Sequence, residues 1–281
     1  MDEIHHEQAS PIFAAADDPL GPLADLPGTW TGFGYNVIGL PDFHDRKSFR
    51  VLINATSETL TFQPTQTVVN RGDSQDDISL AGVTYLQTIN DQSTGQRIHI
   101  EPGIWLNIPA TTSPPGAPSV VRQSSIPHGT TLLAQGTSHT DDQAPFYPQA
   151  SPLARPVPGG PPLTIGYNAP YLAGPFPGGY DPDDLNKPLK EVLRQQINIE
   201  KMVCQSNTAL SVSTIPFGGI SNIPFLKTNA EAIDTTATLN IERMVTRNGV
   251  KFLQLQYTQT VNIIFGGMIW PHISVATLTK R

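Results

Sequence analysis

The chain has 281 residues, with 17 Lys and Arg against 24 Asp and Glu and a formal net charge of −7. That balance offers no basic footprint for nucleic acid, and no stretch approaches the ~20 apolar residues of a membrane span. A single cysteine, Cys204, excludes an internal disulfide and a cysteine-built zinc site.

The chain opens Met1-Asp2-Glu3-Ile4-His5-His6-Glu7, without the basic and apolar regions of a signal peptide, so the expected location is cytoplasmic. Residues 1–24 are acidic, Pro/Ala-rich and aperiodic, and read as a flexible arm. From residue 25 the pattern changes to alternation with period two, the mark of half-buried strands. Lys47–Asn54 carries Phe49, Val51 and Ile53 on one side. Glu58–Gln63 follows. Arg97–Glu101 sets Ile98 and Ile100 against His99 and Glu101, and Gly103–Ile108 sets Ile104, Leu106 and Ile108 against Trp105 and Asn107. Thr130–Gln135, Thr236–Val245, Phe252–Ile264 and His272–Thr279 read the same way, rich in Thr, Val and Ile. The Asn248-Gly249 pair between two of these runs is a strong hairpin signal.

Two Pro-rich insertions, near 109–119 and 145–182, cannot supply central strands because proline lacks the ladder donor. They read as long ordered loops. One helix is expected over Asp184–Lys201, with Leu185, Leu189, Val192, Leu193 and Ile197 on one stripe, Asp183 or Asp184 as cap and Pro188 in the first turn. Many short strands with no alternating helices predict an all-β chain. The expectation is one antiparallel β-barrel domain over 25–281, decorated by one helix and long Pro-rich loops.

Three segments carry a resemblance. Gly28-Thr29-Trp30-Thr31-Gly32-Phe33-Gly34 resembles the G-x-W-x-G-x-G first strand of lipocalin-like (calycin) barrels, most nearly that of nitrobindin-type haem-binding barrels. Trp270-Pro271-His272-Ile273-Ser274 falls near that family's last strand, and His99-Ile100-Glu101-Pro102-Gly103-Ile104-Trp105 is similar to a middle one. The resemblance covers about a tenth of the chain. It implies that Trp30 plugs one barrel end and that His272 is the proximal ligand of a haem iron. The Pro-rich insertions depart from a minimal domain of that kind.

The candidate residues each admit two readings. His272 is an iron ligand whose second ring nitrogen needs a partner, or a histidine hydrogen-bonded where it closes a barrel end. His99 and Glu101 share a strand face. Facing inward they are an acid–base or ligand-orienting pair, and half of a metal site to which His128 or His139 adds a ligand. Facing outward they are merely solvated, with Ile98 and Ile100 in the core. His128 lies in a turn at a barrel rim. Tyr257, if inward, puts a hydroxyl into an apolar wall. Trp30, Trp105 and Trp270 are the large rings expected around a guest. The Gly-rich segment Phe217–Phe225 matches no nucleotide-binding motif, and Cys204 reads as a small buried apolar residue. The functions that follow are a carrier of haem or another apolar or amphipathic small molecule, a cofactor-independent isomerase, dehydratase or hydrolase using His99 and Glu101, or a protein-interaction module.

Overall fold

A computed structural model describes residues 13–15, 18–142, 145–157, 161 and 167–281. Ten long strands form one closed antiparallel sheet: β1 (Gly28–Asp42), β2 (Lys47–Pro64), β3 (Ile78–Asp91), β4 (Arg97–Ile108), β5 (Ser119–Ile126), β6 (Thr130–Asp141), β7 (Val203–Ser213), β8 (Glu231–Val245), β9 (Lys251–Phe265) and β10 (Met268–Lys280). Each pairs with the next in sequence, and β1 pairs with β10 to close the barrel. Closure removes the free edges that an open sheet exposes. The alternating pattern therefore led to the right fold class, although it split β2 and β4 and did not mark β3, β5 or β7. β3 carries Leu80 and Leu86 on one face and Val83, Tyr85 and Ile89 on the other, so its alternation is hidden.

Turn chemistry holds the meander in register. Gly249 has φ +80° in the β8–β9 hairpin, and Gly266 and Gly267 have φ +57° and +72° between β9 and β10, a left-handed conformation that favours glycine. Gly32 and Gly34 in β1 act differently. A Cβ on either would lie 2.0 Å from a β10 carbonyl oxygen, that of Thr277 or Val275, so only glycine allows the closing strands to approach.

The wall has apolar residues on both sides. The inner core holds Trp30, Leu60, Phe62, Trp105, Leu239, Leu255 and Leu278. An outer core packs Tyr35, Val37, Ile273 and Val275 against Tyr171, Tyr180, Leu185 and Leu189 of the covering segments. Phe49, Val51 and Ile53, the apolar face of the first half of β2, join the outer core. The cover comes from the insertion near 145–182, of which residues 158–160 and 162–166 lie outside the described set, and from the helix. The insertion near 109–119 forms a two-residue hairpin, Thr111–Thr112 with Pro115–Gly116.

The helix, α1 (Lys187–Arg194), is shorter than expected and passes into a wider π turn over Gln195–Ile199. Its flanking residue is Asn186 instead of Asp183 or Asp184, and the Asn186 side chain makes no cap bond. That side chain instead accepts from Thr258 Oγ1 at 2.5 Å and donates to the Pro148 carbonyl at 2.6 Å, pinning the helix start to β9. Leu189 and Leu193 are buried.

Of the arm read over residues 1–24, the described residues 18–24 pack on the barrel. Residues 1–12 and 16–17 lie outside the described set. Leu20, Leu23 and Leu26 are buried in the inner core around a one-turn helix at Gly21–Leu23. Asp25 anchors this plug through Arg243 Nε at 2.6 Å.

Candidate functional site

The barrel interior is apolar at the plugged end and polar toward the other. Trp30 is fully buried at the plug and donates Nε1–H to the Leu26 carbonyl at 2.7 Å. Moving away from it, the inward positions become Glu58 on β2, Tyr85 and Gln87 on β3, His99 and Glu101 on β4, Arg122 on β5, and Tyr257 and Gln259 on β9. Their faces follow from the ladder: Glu101 stands opposite Gln87, Gly103 opposite Tyr85, and Trp105 opposite both Val83 and Arg122. His99 and Glu101 thus face inward, and Ile98 and Ile100 face out.

Two hydrogen-bonded networks result. In the first, Glu101 is wholly buried and Oε1 accepts from Arg122 Nη2 at 2.6 Å and from the Tyr85 hydroxyl. His99 Nε2–H donates to Oε2 at 3.2 Å. Arg122 also donates through Nε to Tyr85 Oη at 2.9 Å and through Nη1 to Gln259 Oε1 at 2.6 Å. Burial by itself would raise the Glu101 carboxyl. The Arg122 guanidinium, seconded by the His99 and Tyr85 hydrogen bonds, overrides it and holds Glu101 well below the usual carboxylate range. A glycine makes this possible: a Cβ at Gly103 would lie 2.5 Å from the Tyr85 ring.

In the second network Glu58 has no cationic hydrogen-bond partner. Its Oε2 accepts from Tyr257 Oη at 2.6 Å and Gln87 Nε2 at 3.2 Å, and its Oε1 from Thr56 Oγ1 at 3.1 Å. Gln87 Nε2 also donates to Tyr257 Oη at 3.1 Å. Burial dominates and pushes Glu58 up, against the hydrogen bonds from Tyr257, Thr56 and Gln87. One chamber therefore holds two carboxylates with opposite protonation preferences, an arrangement that separates an acid from a base. Between the networks lies a cavity of about 20 Å³ lined by Leu60, Phe62, Trp105, Leu239, Tyr85, Gln87, Arg122, Tyr257 and Gln259. Clefts of about 800 and 330 Å³ bring together no ionisable side chains, and those of about 610 and 530 Å³ gather Asp42, Arg46 and Lys47 at the β1–β2 turn, away from the interior networks.

The structure brings His99, Glu101, Trp105 and Tyr257 together in this interior. His128 stands beside His99 at the rim, their ring centroids 6.0 Å apart; partial burial, with His99 nearby, lowers its pKa. Trp270 lies elsewhere. It is buried in the outer core, stacked on Phe265 and packed on Phe49 and Tyr167. His272 donates Nε2–H to the Gly39 carbonyl at 2.6 Å, so it ties β10 to β1. Burial pushes it down to about 4, against the Gly39 hydrogen bond. Trp30 pairs with Lys280 and Val37 with Ile273, which puts His272 eight residues, about 26 Å, along the strand from the plug.

These residues do not fit a haem inside the barrel. The Nε2 of His272 is committed to a carbonyl, the ring is not among those lining the cavity, and about 20 Å³ admits a water-sized guest. His139 is likewise no partner of His99: it is largely exposed and paired with Asp141. Among the described residues no group of three or more His, Cys, Asp or Glu is placed to hold a metal ion, and no helix is long and apolar enough to cross a membrane. Cys204 is half-buried, its thiol pushed up to about 11 by burial and by Glu242.

Glu58, Tyr85, Gln87, Arg122 and Gln259 were not singled out from the sequence. A single signal was present for Glu58, an acid in an alternating run at a position where an inward residue was due.

No protein-family model and no curated protein matches the chain. Among solved structures it is similar to the crystal structure of Rv2717c from M. tuberculosis, with 16% sequence identity, a TM-score of 0.45, and coverage of 94% of this chain and 98% of that one.

Proposed function

We propose that this barrel binds a small amphipathic molecule in the polar half of its interior. The guest's polar group would sit on the Tyr85–Arg122–Gln259 and Glu58–Tyr257–Gln87 networks, and its apolar part against Leu60, Phe62, Trp105 and Leu239. One observation carries this reading: polar and ionisable side chains from three strands, Tyr85 and Gln87, Arg122, and Tyr257 and Gln259, line a void whose remaining wall is apolar. That is the composition of a small-molecule site. Stability does not require it, because well-packed apolar residues in place of a buried ion pair are often neutral or stabilising. Since the void is water-sized, the guest enters by displacing side chains. In this reading the guest enters beside β4, where the ladder with β5 stops at Gly103–Ser124.

The test is native mass spectrometry of the purified chain, followed by a thermal-shift screen of small carboxylic acids, phenols and lactones. A retained or stabilising compound that loses its effect in Tyr257→Phe and Gln259→Leu supports the reading. Failure of every compound to bind, or binding that ignores both substitutions, removes it. A Soret band on haem addition that vanishes in His272→Ala would instead restore the haem carrier implied by the resemblance.

A second reading, turnover of the guest, is favoured by the opposed carboxylates. It moves the acid–base role from the His99–Glu101 pair to Glu58, because Glu101 is held ionised by Arg122 and is a weak base. In this reading Glu58 gives or takes the proton and Tyr257 relays it.

A further inference from the structure

The barrel rim holds two imidazoles, His99 at the edge of the Glu101 network and His128 outside it. His99 sits near the start of β4. His128 sits in the Pro127-His128-Gly129 turn between β5 and β6. Their ring centroids are 6.0 Å apart and the rings are inclined by 33°. The wall is unpaired here. Pro102 brings no N–H, and the β4–β5 ladder runs only from Gly103–Ser124 to Ile108–Ser119. Residues 97–101 therefore have no ladder partner on the β5 side, where the turn after Ile126 lies. His128 is exposed and the His99 side chain is 20% exposed.

The tautomer of His99 is set from behind. Its Nε2 faces a carboxylate oxygen of Glu101, so Nε2 carries the proton and Nδ1 keeps its lone pair. Glu101 cannot swing away, because Arg122 and Tyr85 hold its other oxygen. A buried carboxylate on the far nitrogen is the support that orients a metal-binding imidazole. His128 makes no side-chain hydrogen bond, so its ring is free to turn. At the edge of the gap Ser124 carries a buried hydroxyl without a partner.

We propose that His99 and His128 form a rim site for a divalent transition-metal ion that prefers imidazole, zinc or copper(II). Glu101 supports it from behind, and the remaining coordination positions are taken by water or by a small ligand at the barrel mouth. An ion about 2.0–2.1 Å from one nitrogen of each ring spans centroids about 5–6 Å apart, so the present separation needs no more than side-chain rotation. Oxygen-seeking calcium and magnesium are excluded by the donor set. Two protein ligands leave an open site, which suits exchange with solvent better than a structural role.

The experiment uses the full chain, stripped with chelator and titrated separately with zinc and copper(II) by calorimetry, with electron paramagnetic resonance on the copper form. The expected result is one ion per chain, nitrogen hyperfine coupling, and a loss of affinity of about tenfold or more in both His128→Ala and His99→Gln. His128→Ala lies in an exposed turn and leaves the fold intact by circular dichroism. Competing sites are checked directly: His139→Ala and the double variant His5→Ala/His6→Ala should bind as the parent does. The proposal is overturned if the parent binds neither ion more tightly than about 0.1 mM, if His128→Ala binds as well as the parent, or if affinity is lost in the His139 or His5/His6 variants. None of these outcomes depends on whether an organic guest occupies the interior.

Discussion

Arg122 decides the state of the barrel interior more than any other residue. It is the cation that keeps Glu101 ionised in a place where burial opposes charge, and all three of its guanidinium nitrogens are used. Removing one partner of a buried pair leaves the other charge uncompensated, at a cost of about 3–5 kcal/mol. Arg122→Met should therefore destabilise the chain by about that amount, measured by urea unfolding at pH 7. The double variant Arg122→Met/Glu101→Leu should recover most of the loss, since both charges are then gone. A double variant no more stable than the single one would show that the guanidinium acts through packing on Tyr85 and Trp105 alone. The His99–Glu101 pair was legible from the i, i+2 spacing. Its meaning was not, because Arg122 lies on another strand and nothing in its local pattern marks it as inward.

At the scale of elements, the cover and the barrel wall meet across a polar seam. Gln256 Nε2 donates to the Leu189 carbonyl at 3.0 Å, Gln196 and Gln254 exchange amide bonds, and Asn240 Nδ2 donates to the Phe146 carbonyl at 3.1 Å. That last bond fixes a chain of orientations. Asn240 Oδ1 must then accept from Asn207 Nδ2 at 3.1 Å, and Asn207 Oδ1 is left without a donor. Directly opposite Asn207 in the ladder stands Glu242, fully buried, whose Oε1 also lacks a partner while Oε2 accepts from Gln254 at 2.5 Å. A proton on Glu242 supplies a donor that these two oxygens lack. Burial raises Glu242 from its ordinary 4.5 to about 8, opposed by the Gln254 hydrogen bond. The folded state then binds the proton more tightly than the unfolded one. The stabilisation is complete below about 4.5 and is lost as pH rises toward about 8. Tyr147, Cys204 and Asp141 are the other titratable groups around the seam. Burial raises Tyr147 and Cys204, with Glu242 contributing to both, so neither takes a charge in this window. Glu242→Gln keeps a donor without the titration. It should flatten the fall in melting temperature between pH 5 and 8.5 and stabilise the chain at the upper pH by about 1–3 kcal/mol. An unchanged pH slope in the variant would assign the fall to other groups.

For the whole molecule, the consequence of a wall with two cores is cooperativity. β1, β2 and β10 contribute side chains to both, so neither core can be lost without disturbing the strands that close the barrel. Leu239→Ala in the inner core and Leu189→Ala under the cover should each cost about 2–5 kcal/mol. Both should shift one unfolding transition seen equally by far-ultraviolet and near-ultraviolet circular dichroism. A separate early transition in Leu189→Ala would show that the cover melts by itself.

The amino-acid pattern alone determined the strand-rich class, the Asn-Gly turn and the place of the helix around Leu189, because these rest on local periodicity and on residues with special backbone freedom. Tertiary structure decided which face of each strand looks inward. With apolar residues packed on both sides of the wall, alternation marks a strand without saying which side is the interior. Phe49, Val51 and Ile53 thus turned out toward the cover, and Glu58, Tyr85, Glu101 and Arg122 turned in. The carboxylates, the guanidinium and the imidazoles come from strands far apart in sequence, and only barrel closure sets the register that places them within hydrogen-bonding distance.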